Sequence, residues 1–367
     1  MSGFEIKSVR GTSDRTMIYG IRSPGTPARA ASPELPVRKI ATATRANFFE
    51  DLSGPEGHKS FPIPHLTAYS GLSSIYHEKA ELDILSKDAE NLVELLYPRS
   101  KLLIEFIGGR PSITSYLLAG IEKLGVPVKY YAVSYSSIEI LKAFSTLEPW
   151  RYKNIQLIGL YGSYEDACDW LAENEYGVPK TILWLSHSIS SIDRIDVAVF
   201  LRRLTAHLLQ PGDLVMLGTE RRGTAQDPVL SCGKGSEWNK KRLMDNLLRS
   251  YGLYFESARE TFSTDAWDLQ DEYDPNIGAR RCYIVAKKDI RLNNDIFVKA
   301  GEKVLMEQSW KYDDGDIKEM LQYTGLDSFH EFTDSVGEYA LRLLMLPPGK
   351  TPKQFGAMKA YFDQKQG

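Results

Sequence analysis

The sequence predicts an α/β protein built on a doubly wound, mostly parallel sheet, with a second, smaller lobe inserted into it. Two observations predict this. Between Leu102 and Leu217 five short apolar runs alternate with stretches of helical periodicity, the pattern of successive βαβ units. After Glu220 the alternation stops, and a Gly- and Arg-rich stretch, Arg221 to Gly235, leads into segments of another kind.

Taken in order, residues 1–45 include Ser23 to Pro36, rich in Pro, Ser and Arg. Such a segment buries little and predicts a flexible, extended arm. Residues 46–84 are assigned to the N-terminal part of the second lobe. From His77, apolar residues at Leu82, Ile84, Leu85, Ala89, Leu92 and Leu95 keep helical spacing and lead toward the first core strand.

The core domain is read as residues 85–220. Leu102 to Ile107 is an apolar run of strand length, broken at Gly108-Gly109 and followed by a helix and a strand at Val128 to Val133. Further strands fall at Ile155 to Leu160, Thr181 to Leu185 and Leu214 to Leu217, with helices at Tyr164 to Ala172 and Ile195 to Leu209. Gln210-Pro211-Gly212-Asp213 supplies the turn chemistry that ends the last of these helices. Residues 221–309 form the inserted lobe, with a helix from about Trp238 to Ser250, strands between Arg280 and Glu307, and a turn at Asn293-Asn294-Asp295. Residues 310–367 return to the core through a helix at Asp314 to Thr324 and a strand at Tyr339 to Leu346.

Bulk properties exclude several classes. A chain of 367 residues with formal net charge -3 has no charge excess that would make nucleic acid or an anionic membrane its main partner. Cys168, Cys232 and Cys282 are far apart and show no CxxC spacing, which argues against a disulfide framework and for a reducing compartment. No apolar run approaches the roughly 18 residues of a membrane span, and no basic-then-apolar signal opens the chain. The expectation is a cytoplasmic protein with a small-molecule ligand.

The glycine break after the first core strand is the natural ligand site. In a βαβ unit, glycine lets a ligand approach the backbone, the helix start offers free N–H groups, and a side chain after the second strand can accept bonds from a ribose. A tight turn without a ligand reads the same way. His187, at the end of a core strand among Ser186, Ser188, Ser190 and Ser191, sits where open α/β sheets bind ligands; a structural, hydrogen-bonded histidine is the alternative. Ser188, His187 and Asp193 do not read as a triad, because neighbours on one strand point to opposite faces. The six histidines show no HxH or HExxH spacing, so no metal is expected.

Three motifs resemble the histidine-specific methyltransferase family, which includes ergothioneine-pathway histidine methyltransferases and fungal dimethylallyltryptophan N-methyltransferases. They are Glu105-Phe106-Ile107-Gly108-Gly109, Gly159 to Asp166 followed by Asp169-Trp170-Leu171, and Gly301-Glu302 followed by Glu307-Gln308-Ser309-Trp310-Lys311-Tyr312. The resemblance implies a Rossmann-like methyltransferase sheet with S-adenosylmethionine as cofactor. It places Glu105, Gly108, Gly109, Ser134, Ser163 and Tyr164 at the donor. It directs Glu307 and Ser309 to the side-chain end of the substrate, where a carboxylate and a hydroxyl can bond an imidazole or indole N–H, and adds Ser191 and Tyr76. Without the family, Glu307 also reads as a solvated face and Tyr76 as a helix anchor.

Four positions depart from the family's pattern. Ile107 replaces the first glycine, and a branched side chain there is expected to take up donor volume and resist positive φ. Ser134 replaces the aspartate that accepts both ribose hydroxyls, Ser191 replaces an asparagine, and a loop tyrosine is missing around Asp227 to Cys232. The resemblance implies N-methylation of an amino-acid-derived or indole-type substrate, as in alkaloid-type secondary metabolism. The departures leave open a repurposed scaffold that no longer uses the methyl donor. Such a scaffold would perform a cyclisation, condensation or isomerisation with Glu307, Tyr76 or His187 as acid or base, or act as a non-catalytic partner.

Overall fold

The computed structural model describes residues 4–8, 16–19, 59–60, 76–107, 111–134, 137–162, 164–185, 188–222, 264–291 and 297–349. The helix expected near 238–250 and the turn at 293–295 lie outside the described residues.

Three strands precede the alternating region: β1 (Phe4–Ser8), β2 (Thr16–Tyr19) and β3 (Lys59–Ser60). There follow α1 (Tyr76–Leu96), β4 (Leu102–Phe106), α2 (Pro111–Lys123), β5 (Val128–Ser134), α3 (Ser137–Leu147), β6 (Ile155–Tyr161), α4 (Tyr164–Asn174), β7 (Lys180–Trp184), α5 (Arg194–Arg203) and β8 (Leu214–Glu220). The C-terminal part contributes β9 (Trp267–Asp274), β10 (Ala279–Ala286), β11 (Ile290–Arg291), β12 (Phe297–Val298), β13 (Lys303–Trp310), α6 (Asp314–Thr324), β14 (Asp327–Thr333) and β15 (Tyr339–Met345).

Nine strands form the main sheet in the order β14-β15-β8-β7-β4-β5-β6-β1-β2. Strands β4 to β8 are parallel to their neighbours, whereas β15 runs antiparallel to β8. From β4 the chain winds outward through β5 and β6, then returns to the other side for β7 and β8. That reversal creates a crevice at the carboxyl ends of β4, β5 and β7, where open α/β sheets hold their ligands.

Alternation along β4 explains the two layers. Leu102, Ile104 and Phe106 join a core cluster with α4, α5 and α6, while Leu103 and the following Ile107 join the cluster built by α1, α2 and α3. Strands buried on both faces read as continuous apolar runs, and every residue of β4, β7 and β8 is buried. Within the layer of α1 to α3, α1 is held by Tyr339 of β15, whose hydroxyl donates to the fully buried Glu81 carboxylate.

Two expectations need correction. Of the N-terminal segment expected as a flexible arm, residues 4–8 and 16–19 are strands: β1 pairs in parallel with β6 and antiparallel with β2. The open edge of β6 offers unpaired N–H and carbonyl groups, and pairing satisfies them. The division at residue 84 falls inside α1, a continuous helix through Leu96.

A second sheet, in the order β3-β13-β10-β9, carries the later strands. An isolated bridge between Arg221 and Tyr312 ties its end to the main sheet. Among the described residues no helix is long and apolar enough to cross a membrane.

Candidate functional site

The carboxyl ends of β4, β5 and β6 bring three of the expected residues together. Glu105 is buried on β4 and accepts hydrogen bonds from the Tyr130 hydroxyl at 2.5 Å and the Thr114 hydroxyl at 2.8 Å. Burial pushes its carboxyl up to about 7, against the opposing pull of those two donors.

Ile107 closes β4. Its N–H donates to the Val133 carbonyl at 2.9 Å, and its own carbonyl accepts from the Tyr164 hydroxyl at 3.2 Å. The side chain is buried and belongs to the core cluster of α1, α2 and α3. Position 107 continues the parity of Leu103 and Glu105, which brings its side chain to that layer.

Tyr164 opens α4, with its ring 4.8 Å from that of Phe106. Phe106 in turn meets Trp184 and Phe200 edge-on at 5.9 and 5.2 Å. This aromatic floor fixes the turn that Tyr164 pins, since rings crossed in this way restrict one another.

Ser134, the last residue of β5, is fully buried. Its carbonyl accepts from the Gly162 N–H at 3.1 Å, and its hydroxyl donates to the Glu139 carboxylate at 2.9 Å. Sequence reasoning passed over Glu139. An acid in the first turn of a helix reads as an ordinary partner of the helix dipole, and only the folded chain brings it back to Ser134. Burial raises the Glu139 carboxyl above its usual range, with the Ser134 bond and Lys142 acting in the other direction.

The residues expected at the substrate are described in part. Ser309 on β13 is half-buried and lies opposite Arg280 of β10. For Tyr76 at the start of α1, Ser191 in the short turn 188–191 and Glu307 on β13 the backbone is described and the side chains are not. Gly108, Gly109, Ser163 and His187 lie outside the described residues. The turn 188–191 packs against β13, so the strand ends of the main sheet and the second sheet do converge. Asp193 accepts from the Ile195 N–H at 2.9 Å and caps α5, a further reason to set aside a triad.

At this junction the sequence analysis also missed a cluster on Arg194. Its guanidinium lies over the Trp310 ring at 5.3 Å and the Tyr312 ring at 5.1 Å, and it bonds Asp316 at 2.6 Å. Asp316 also completes the capping box of α6 with Asp313. The buried Trp310 indole N–H, Tyr312 hydroxyl and Ser190 hydroxyl have no hydrogen-bond partner among the described residues.

A family model described as histidine-specific methyltransferase, SAM-dependent, matches residues 66–346. The chain is 25% identical over 297 residues to ergothioneine biosynthesis protein 1 of Schizosaccharomyces pombe, covering 79% of this chain and 37% of that protein. It is 26% identical over 279 residues to ergothioneine biosynthesis protein 1 of Neurospora crassa, covering 74% of this chain and 30% of that one. The match thus spans about a third of the length of these two relatives. With 4-dimethylallyltryptophan N-methyltransferase easF of Claviceps fusiformis identity is 21% over 282 residues, covering 72% of this chain and 79% of that protein.

Proposed function

The chain belongs to the histidine-specific, S-adenosylmethionine-dependent methyltransferase family, and on that premise we propose that it N-methylates an amino-acid-derived small molecule. When bound, S-adenosylmethionine supplies an electrophilic methyl group on a sulfonium sulfur. The protein's task is then to hold a neutral amine in line with that methyl and keep water out.

The observation that carries the reading is the placement of Ile107. Its side chain is in the core while its carbonyl is tied to Tyr164 and its N–H to Val133, so the end of β4 stays fixed with isoleucine where the family has glycine. A fixed strand end at a topological switch point supports a nucleoside ligand there. Glu105, Gly108, Gly109, Ser134, Ser163 and Tyr164 are assigned to it.

For the amine substrate the assignment is Ser309, Ser191, Glu307, Tyr76 and His187. The first two bond its polar groups, and the other three stand as candidates to orient the nitrogen and receive its proton. The match to a tryptophan-derivative methyltransferase over 72% of this chain supports an amino-acid or indole-type substrate. Three scattered cysteines favour a reducing compartment, and we place the reaction in the cytoplasm.

Calorimetric titration of the full chain with S-adenosylmethionine and S-adenosylhomocysteine tests the reading. Micromolar binding is expected. No heat at millimolar ligand overturns it and turns attention to a different reaction in the same crevice.

A further inference from the structure

We propose that the groove between α6 and the sheet edge at β14 and β15 is a second small-molecule site, which takes a free amino acid with an apolar side chain as its zwitterion. The inference goes beyond methyl transfer and does not depend on it.

One face of α6 builds the first wall. Asp314, Ile317, Lys318 and Leu321 recur at helical spacing and line a cavity of 640 Å³, a size typical of small-molecule pockets. The other wall is Glu331 of β14, the outermost strand of the sheet, and Arg342 of β15. Arg342 keeps the parity of Leu344, which puts it on the side of the sheet that α4, α5 and α6 cover. Asp327 also lines the cavity and pairs with Met345, which pairs with Leu214 at the start of β8. The groove thus extends toward the strand ends opposite the crevice.

Arg342 gives the groove a buried cation. The residue is 2% exposed. Its Nε meets Glu331 Oε2 at 2.7 Å, and its Nη1 donates to the Thr219 hydroxyl. Glu331 is shared with Arg221, so one carboxylate stands against two guanidinium groups. Nη2 of Arg342 makes no hydrogen bond among the described residues and is open to the cavity. Burial disfavours the charge on Arg342, and an arriving carboxylate offers it charge-assisted bonds in place of lost water.

Asp314 supplies the opposite charge. It is exposed in the first turn of α6, and among the described residues it forms no ion pair, not even with Lys318 one turn on. It is near enough to favour the Arg342 charge, yet the two are not in contact. An ammonium and a carboxylate on one carbon can bridge such a gap. Three acids, Asp314, Asp327 and Glu331, disfavour a phosphate-like anion, and the cations Lys318 and Arg342 disfavour a metal ion. Ile317, Leu321 and Leu326 leave an apolar surface for the side chain.

Calorimetric titration of the full chain with L-phenylalanine tests the assignment. Phenethylamine, which lacks the carboxylate, and 3-phenylpropionate, which lacks the ammonium, are titrated beside it. Phenylalanine has no side-chain N–H for the Glu307 and Ser309 end of the crevice. It is expected to bind, with phenethylamine about tenfold weaker or more and 3-phenylpropionate about fivefold weaker. Asp314→Asn should weaken phenylalanine about fivefold and leave the thermal midpoint unchanged, since the side chain it alters is exposed. The proposal is overturned if phenylalanine gives no heat at millimolar concentration. It is equally overturned if Asp314→Asn binds phenylalanine as the unaltered chain does, which would put the amino acid in the crevice instead.

Discussion

Tyr130 reaches across from β5 to donate a 2.5 Å hydrogen bond to Glu105 on β4, with both groups sealed inside the protein. A carboxyl so placed is protonated far more readily in the folded chain than in the unfolded one: burial lifts it from 4.5 to about 7. The native state therefore binds more protons than the unfolded state between these values. Stability contributed by this group is full below pH 4.5 and is lost as pH rises through about 7. The shift corresponds to about 3 kcal/mol. Urea midpoints measured from pH 4.5 to 8 should fall with pH in the unaltered chain, and Glu105→Gln should flatten that slope.

Ile107→Ala separates the two readings of that position. Because the side chain is 6% exposed and packed in the core, truncation should cost about 2–5 kcal/mol of stability. Affinity for S-adenosylhomocysteine should not improve. A tighter-binding variant would mean that the isoleucine had been obstructing the donor.

Tyr164→Phe removes the hydroxyl that bonds the Ile107 carbonyl at 3.2 Å and keeps the ring against Phe106. Stability should change by about 1 kcal/mol. S-adenosylhomocysteine binding is expected to weaken several-fold, because the end of β4 loses its tether. Unchanged affinity in the titration would remove Tyr164 from the donor site.

At the opposite ends of the strands Lys180 and Asp213 form a buried ion pair at 3.2 Å, with side chains 1% and 4% exposed. Asp213 also accepts the N–H groups of Lys180 and Gln210. Asp213→Ala leaves the lysine charge unpaired and should cost about 3–5 kcal/mol, visible as a lower thermal midpoint. Ligand affinity, measured well below that midpoint, should stay as it was.

The core strands were legible because β4, β7 and β8 are covered on both faces, and such strands must be apolar along their length. The N-terminal strands were not, since β1 pairs with β6, about 150 residues further along the chain, a contact that local pattern does not carry. The family motifs pointed to Glu105, Ser134 and Tyr164, which the fold sets on β4, at the end of β5 and just after β6, neighbours in one sheet. Asp193, read beside His187, proved to be the cap of α5.

Local pattern thus determined which segments become strands and helices, and hence the doubly wound sheet and its crevice, because hydrophobic periodicity is a property of adjacent residues. Where Ile107 sends its bulk, and which carboxylate stands beside Ser134, were decided only on folding. Both depend on what packs against a strand end: α1 to α3 receive the isoleucine, and the first turn of α3 carries Glu139 back to the serine. Contacts between residues on different elements are set by tertiary packing, which no local pattern of residues records.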